Sequence, residues 1–290
     1  MMFTVGLWLL PGGPSVQARS LETIEKTGEI RFCISDFHPA IAVTEPSGCR
    51  DDCTFKGPVY EAVLDFAETL GSDIKPKFVR VEWDEQFYNQ DGKTDRAGSY
   101  TPALMASGIC DIYPSHLTKL DWRLKKLDFV TLFSNRMMVV VNKQKKRHFK
   151  KPADLAGKVA AITKDTSFET WLQAQNESTY ADNPIQLHYM DSIDAIKAVD
   201  AGEVDFTLLD GDLAIWTVNH QFKRVALGFP VASPDELGWA FRKEDKDLQD
   251  LVKQYFTAEE KATYSKTNKR WKRIYGLSLQ DFTKMIMAFK

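Results

Sequence analysis

The sequence lacks most of the marks that announce a membrane or catalytic protein. No apolar run approaches the roughly 20 residues needed to cross a bilayer, so no transmembrane anchor is expected. Charge of either sign is not in excess. Lys and Arg number 38 against 40 Asp and Glu, a net charge of −2, which gives no support for nucleic acid as a partner. The local basic runs, Lys143 to Lys151 and Lys266 to Arg273, read as solvated helix and loop faces. The histidines (His38, His116, His148, His188, His220) show no HExxH or other short metal-ligand spacing. No Gly-x-Ser-x-Gly elbow, Walker phosphate loop or Gly-x-Gly-x-x-Gly follows a strand. Nothing positive therefore argues for an enzyme, a metal or another cofactor, although scattered carboxylates could still pair for acid–base work.

Cysteine is scarce too. The four are Cys33, Cys49, Cys53 and Cys110, all in the N-terminal half. An even number fits two disulfides in an oxidising compartment, with three connectivities open. Cys49 and Cys53 follow Pro46-Ser47-Gly48, a turn where a local bridge is geometrically possible. Zinc is the rival at that spacing, but no second Cys/His pair follows it.

What is present begins with an apolar run, Phe3 to Leu10, then Pro11-Gly12-Gly13-Pro14 and Val16-Gln17-Ala18. This is the pattern of a secretory signal peptide over residues 1–18, cleaved after Ala18, although no Lys or Arg precedes the run. No Cys follows it, so a lipid anchor is not indicated. The mature chain is expected to start near Arg19 and to reside in a periplasm or outside the cell.

The rest of the chain repeats itself faintly. Gly28 to Ser35 reads as a turn and a buried strand, and Gly157 to Thr163 does the same. Each is followed by apolar residues at helical spacing: Val59, Val63, Phe66 and Leu70 in one half, Phe168, Trp171 and Leu172 in the other. Further on, helices over 100–107 and 192–201 end at Gly108 and Gly202, where left-handed backbone suits glycine. Each leads through Gly-x-x-Asp into a strand, at Asp111-Ile112-Tyr113 and Asp205-Phe206-Thr207. Additional strands are expected at Phe78 to Val81, Leu187 to Met190, Met137 to Asn142 and Gly238 to Phe241. Strands alternating with helices predict α/β architecture: two Rossmann-like lobes of parallel βαβ units joined by a two-strand hinge. The economical division puts residues 19–135 and 237–290 in lobe one and 136–236 in lobe two. A hinge between α/β lobes makes a cleft. The polar stretch from Trp83 to Gly98 reads as an inserted loop, a solvated excursion rather than a cover for the cleft.

Ligands of open α/β sheets bind past the C-terminal ends of the strands. Those positions hold Pro114-Ser115-His116-Leu117-Thr118 and Asp121-Trp122-Arg123 in lobe one. In lobe two they hold Lys164-Asp165-Thr166-Ser167 and Asp210-Gly211-Asp212. An Arg and an Asp offered from opposite lobes would clamp a zwitterion. Each also has a plain structural alternative: Arg123 as a helix-surface residue, Asp210 as the N-cap of a helix beginning near Leu213.

From about residue 28 to 276 the chain resembles the family 3 extracellular solute-binding proteins, the polar amino-acid receptors of ABC importers. The pieces that carry the resemblance are Pro102-Ala103-Leu104 with Ser107-Gly108, Thr118 with Arg123 and Asp128-Phe129, and Leu155-Ala156-Gly157-Lys158-Val159. Ala201-Gly202 with Val204-Asp205 and Asp210, Gln221-Phe222-Lys223 and Gly238 to Lys243 complete the set. The resemblance implies a periplasmic-binding fold of type II and a monomer that delivers a small polar solute to a membrane permease. It implies that Arg123 grips the ligand α-carboxylate, where a planar guanidinium offers two parallel donors. Thr118 lies beside it, Asp210 takes the ammonium, Thr166 and Ser167 donate from a helix start, and Phe37 forms an aromatic wall. His116 and Asp165 stand where the family often has Gly, which narrows the pocket. Periplasmic dehydratases and the non-catalytic lobe of some lytic transglycosylases resemble the same family. The chain is too short to carry a full transglycosylase domain after residue 276. A sensory or accessory ligand-binding subunit is the third function consistent with the sequence.

Overall fold

The computed structural model describes residues 18–50, 53–220 and 222–289. The expected signal peptide, all but Ala18, therefore lies outside the described residues, as does Gln221.

The chain opens with α1 (Leu21–Thr27), β1 (Glu29–Ser35), β2 (Val43–Glu45), β3 (Thr54–Lys56), α2 (Pro58–Thr69) and β4 (Lys75–Val81). It continues through α3 (Ala103–Ala106), β5 (Tyr113–Thr118), α4 (Asp121–Leu124) and β6 (Asp128–Asn135). A second stretch holds β7 (Met137–Asn142), β8 (Val159–Ile162), α5 (Ser167–Asn176), β9 (Gln186–Tyr189) and α6 (Ser192–Ala201). After it come β10 (Phe206–Asp210), α7 (Gly211–Asn219) and β11 (Val225–Pro230). The chain ends with β12 (Asp235–Phe241), α8 (Lys246–Lys261), α9 (Lys266–Tyr275) and α10 (Leu279–Ala288).

Pairing separates these strands into two bodies. β7 to β11 make one five-stranded sheet in the order β11-β7-β10-β8-β9. Its strand β7 is buried at every position, which its unbroken Met-Met-Val-Val-Val run requires of a strand covered on both faces. In the other body β1 runs parallel to β4, and a parallel bridge between Phe32 and Ile112 carries it toward β5. β5, β12 and β6 form an antiparallel set with β12 in the centre. The fold is thus mixed α/β with two lobes.

The chain passes between the sheets at Arg136 and again over residues 231–234. Both passages are tied together. Arg136 donates from Nε and Nη2 to the Ala232 carbonyl at 3.2 and 3.0 Å. Beside it, buried Asn135 donates to Asp212 Oδ1 at 2.7 Å and accepts from the Gly211 amide at 3.0 Å.

Helix limits follow local chemistry. α5 is capped by the Thr166 hydroxyl, and α6 ends at Gly202 with φ +84°, a left-handed turn that a Cβ would oppose. The helix expected over 100–107 is only one turn, Ala103–Ala106. Pro102 is the cause: its ring pushes Thr101 toward extended backbone, so helical winding cannot start earlier. The final helix, α10, buries Phe282 and Ile286 at helical spacing. The Phe282 ring centre lies 4.9 Å from that of Trp271 in α9, tilted to it, and 6.2 Å from that of Phe133 in β6, edge to face. Two disulfides form, Cys33–Cys110 and Cys49–Cys53, which selects one of the three connectivities.

Candidate functional site

The parallel strands of each lobe end at the boundary between the lobes, and the side chains just past those ends meet there. From lobe one come Phe37 and Ile41 after β1, Trp83 after β4, and His116 and Thr118 in β5. From lobe two come Thr166, Ser167 and Phe168 at the start of α5, with Asp210 and Leu213 at the start of α7. The Phe37 and Trp83 rings lie 4.2 Å apart and form one aromatic wall. The lobes are shut upon each other, leaving a cavity of about 10 Å3, about the room for one water. A larger cavity of about 450 Å3 lies elsewhere, against α8, α9 and α10, and is lined by Trp271, Tyr275 and Leu279 among others; His116 borders both.

Arg123 is buried behind this surface, with 1% of its area exposed. Nη1 donates to the Thr118 carbonyl at 3.0 Å and Nη2 to the Asp165 carbonyl of the other lobe at 2.9 Å. Its guanidinium lies 4.6 Å from the Phe87 ring centre and 5.1 Å from that of Trp122, while Nε has no partner. Burial pulls its pKa down to about 9, with Asp210 opposing the shift, so the group is charged at pH 7. The surface-helix alternative for Arg123 therefore does not describe it.

Asp210 ends β10 and occupies the N-cap position of α7, yet its side chain makes no capping hydrogen bond. Burial pushes its carboxyl well above the ordinary range, helped by the charges of Asp212 and Asp235 and opposed by Arg123. The two lobes thus present a buried cation and a buried acid that sense each other's charge.

The other expected residues divide by role. Thr118 and Ser167 face each other, with their hydroxyl oxygens 3.4 Å apart across the lobe boundary. The Thr166 hydroxyl is committed to its own helix: it donates to the Thr163 carbonyl at 2.7 Å and accepts from the Glu169 amide at 3.2 Å. His116 and Asp165 have φ of +52° and +58°. Both sit in the left-handed region that glycine enters without cost, at a strain on the order of 1 kcal/mol each. The His116 ring is pushed down to a pKa of about 4 by burial and the nearby Arg270, so it is neutral at pH 7. Neither Arg123 nor Asp165 lines the residual cavity; they meet beside it through the Asp165 carbonyl.

Trp83, Ile41, Phe168 and Leu213 are additions to the expected set. Trp83 follows the end of β4 by two residues, the strand-end position where open α/β sheets bind ligands, and that is the signal that points to it. The stretch from Trp83 to Gly98 is not a solvated excursion. Its Arg96 crosses to lobe two and ion-pairs with Asp165 at 3.1 Å and with Glu169, and donates to Gln173 at 3.1 Å. Trp83 Nε1 also reaches the Asp165 carbonyl, at 3.4 Å. Farther along the boundary, His38 Nε2 lies 3.1 Å from Thr217 Oγ1 in α7, and burial holds that imidazole neutral, with its pKa at about 3. Among the described residues, no cluster of three or more His, Cys, Asp or Glu could hold a metal, and no helix is long and apolar enough to cross a membrane.

No family model matches the chain. Among curated proteins, membrane-bound lytic murein transglycosylase F of Pseudomonas syringae pv. tomato is 26% identical over 262 residues, covering 90% of this chain and 48% of the relative. The chain thus spans about half the length of that relative. The L-cystine-binding protein TcyA of Bacillus subtilis is 26% identical over 232 residues, covering 78% of this chain and 77% of the relative. Among solved structures, the holo arginine-binding protein ArgBP of T. maritima superposes with a TM-score of 0.66 at 22% identity, covering 87% of this chain and 99% of that one. The chain has the fold of the family 3 extracellular solute-binding proteins, two α/β lobes of the type II periplasmic-binding kind.

Proposed function

We propose that the protein captures an amino acid between its lobes, outside the cytoplasm, and delivers it unchanged to the permease of an ABC importer. The observation that carries this reading is the pairing of a buried, charged Arg123 with a buried Asp210 that caps nothing, at a boundary formed by both lobes. In this reading Arg123 exchanges the Thr118 and Asp165 carbonyls for the ligand α-carboxylate, which offers two acceptors to its two donors. Asp210 receives the ammonium. Thr118 and Ser167 part to donate to the ligand, and the amides that open α5 add the field of a helix N-terminus. Phe37 and Trp83 enclose the side chain, while His116 and Asp165 shape the two turns. Closure removes water and so strengthens both charged contacts. The L-cystine-binding relative and the arginine-binding structural neighbour support the class of ligand.

A second reading is favoured by one observation, the match over 90% of this chain to part of a murein transglycosylase. There the same cleft serves as the binding module of a cell-wall enzyme. Isothermal titration with polar, acidic, basic and aromatic amino acids and with a soluble muropeptide separates the two. A 1:1 amino-acid complex is expected. Silence toward every amino acid, with binding of the muropeptide, would overturn the receptor reading.

A further inference from the structure

Beside the cleft, the turn that enters α5 and the first turn of that helix carry a buried acidic pair, Asp165 and Glu169. Asp165 and Glu169 are each only 4% exposed, and Glu169 Oε2 also accepts from the Asp165 amide at 2.7 Å. Gln173, one turn on, donates to Glu169 Oε1 at 3.1 Å. Two carboxylates and an amide oxygen turned to one point form a receptor for a guanidinium or ammonium group. A guanidinium is already there, and it belongs to the chain. Arg96 reaches in from lobe one, contacts Asp165, Glu169 and Gln173 together, and lies 5.3 Å from the Trp122 ring centre. Trp122 is shared with Arg123, and the charge of Arg96 lowers the pKa of Arg123, so the two cations are near neighbours.

We infer that Arg96 is a tethered guanidinium that fills an acidic pocket beside the cleft and restricts the ligand to amino acids with uncharged side chains. The inference rests on the amino-acid-receptor reading and adds which amino acids are taken. With Arg123 and Asp210 engaged by the ligand's own carboxylate and ammonium, the cavity surface left for a side chain is Phe37, Ile41, Trp83, Phe168 and Leu213, with the neutral His116 and the hydroxyls of Thr118, Thr166 and Ser167. That surface carries no charge. A basic side chain entering it finds no carboxylate in that lining besides Asp210, and the acidic pair beside the cavity is already occupied by Arg96. An acidic one can reach Arg96 only by leaving two buried carboxylates unpaired, which is strongly unfavourable. The same ion pairs span both lobes, so Arg96 also helps to hold them shut.

The test is titration calorimetry on the whole protein, wild type beside Arg96→Ala and Arg96→Gln, with circular dichroism to check folding. The ligands are L-leucine, L-phenylalanine, L-methionine, L-glutamate, L-lysine and L-arginine. The wild type is expected to bind at least one neutral member at least a hundredfold tighter than arginine, lysine or glutamate. Both variants are expected to gain at least tenfold in affinity for arginine or lysine and to weaken toward the neutral ligand. Wild-type binding of arginine, lysine or glutamate within tenfold of the best neutral ligand overturns the inference and leaves the receptor reading standing, whether or not the variants fold. Folded variants that gain nothing for basic ligands overturn it as well. Silence of the wild type toward the whole panel overturns the receptor reading and this inference with it.

Discussion

Removing the Cys33–Cys110 disulfide should weaken the protein far more than removing Cys49–Cys53, and the difference can be worked from where each bridge closes. Cys33 lies in β1 and Cys110 in the turn that enters β5, both buried. Between those elements the backbone offers little: one parallel bridge, and hydrogen bonds such as Cys33 N to Ile112 O at 3.1 Å and Asp111 N to Arg31 O at 2.9 Å. The bridge closes a sequence separation of 77, for which chain entropy gives about 4.5 kcal/mol of stabilisation, as an upper value. The Cys49–Cys53 separation of 4 gives about 1.9 kcal/mol on the same relation. The assay is urea unfolding followed by tryptophan fluorescence, comparing wild type with Cys33→Ala/Cys110→Ala and Cys49→Ala/Cys53→Ala. The first double variant should lose several kcal/mol and show a larger m-value, because its unfolded chain is no longer looped. Since β5 carries His116 and Thr118, ligand affinity should fall with it. A loss below about 1 kcal/mol for the long loop, or an equal loss for both bridges, would refute the reasoning.

Other expectations follow from the buried charges and the core. Asp210→Asn should cost about 2–5 kcal/mol of ligand binding, roughly 30-fold or more, as calorimetry would show. The same substitution should raise the melting temperature of the unliganded protein. Burial holds the folded pKa of Asp210 above its unfolded value, so ionising it costs stability as pH rises through that interval. Over the same interval, amino-acid binding should release a proton, because the ligand ammonium favours the ionised carboxylate; affinity should then rise with pH. Titration in buffers of different ionisation enthalpy reads that proton directly, and proton uptake would contradict the assignment. Phe282→Ala should destabilise the fold by about 3–5 kcal/mol in thermal or urea unfolding, since its ring is fully buried between Trp271 and Phe133.

Much of the fold was legible because its determinants are local. Met137 to Asn142 reads as a strand from an unbroken apolar run, and the structure buries all six residues. The helix over 192–201 is delimited by Gly202, whose left-handed φ is a property of one residue. The helix expected over 100–107 shrinks to Ala103–Ala106 because Pro102 holds Thr101 in extended backbone. At the boundary between the lobes, legibility depended on distance along the chain. Thr118 and Asp210 are legible because each lies at the C-terminal end of a strand, whereas Phe37 is legible only through the resemblance to solute-binding proteins. Arg96 is not: its partners lie 69 to 77 residues away, and a polar loop has the same composition whether it meets solvent or a second lobe. The unusual residues at 116 and 165 were visible as departures from glycine. Their meaning, retained left-handed backbone at both turns, needed the dihedral angles.

A crystal structure of the protein with its best-binding amino acid tests the central claim most directly. It should show one ligand between the lobes, with its carboxylate on Arg123 and its ammonium on Asp210, and the Arg123 bonds to the Thr118 and Asp165 carbonyls given up. A ligand seated instead in the cavity beside Trp271 and Tyr275, with Arg123 still bound to those carbonyls, would contradict it.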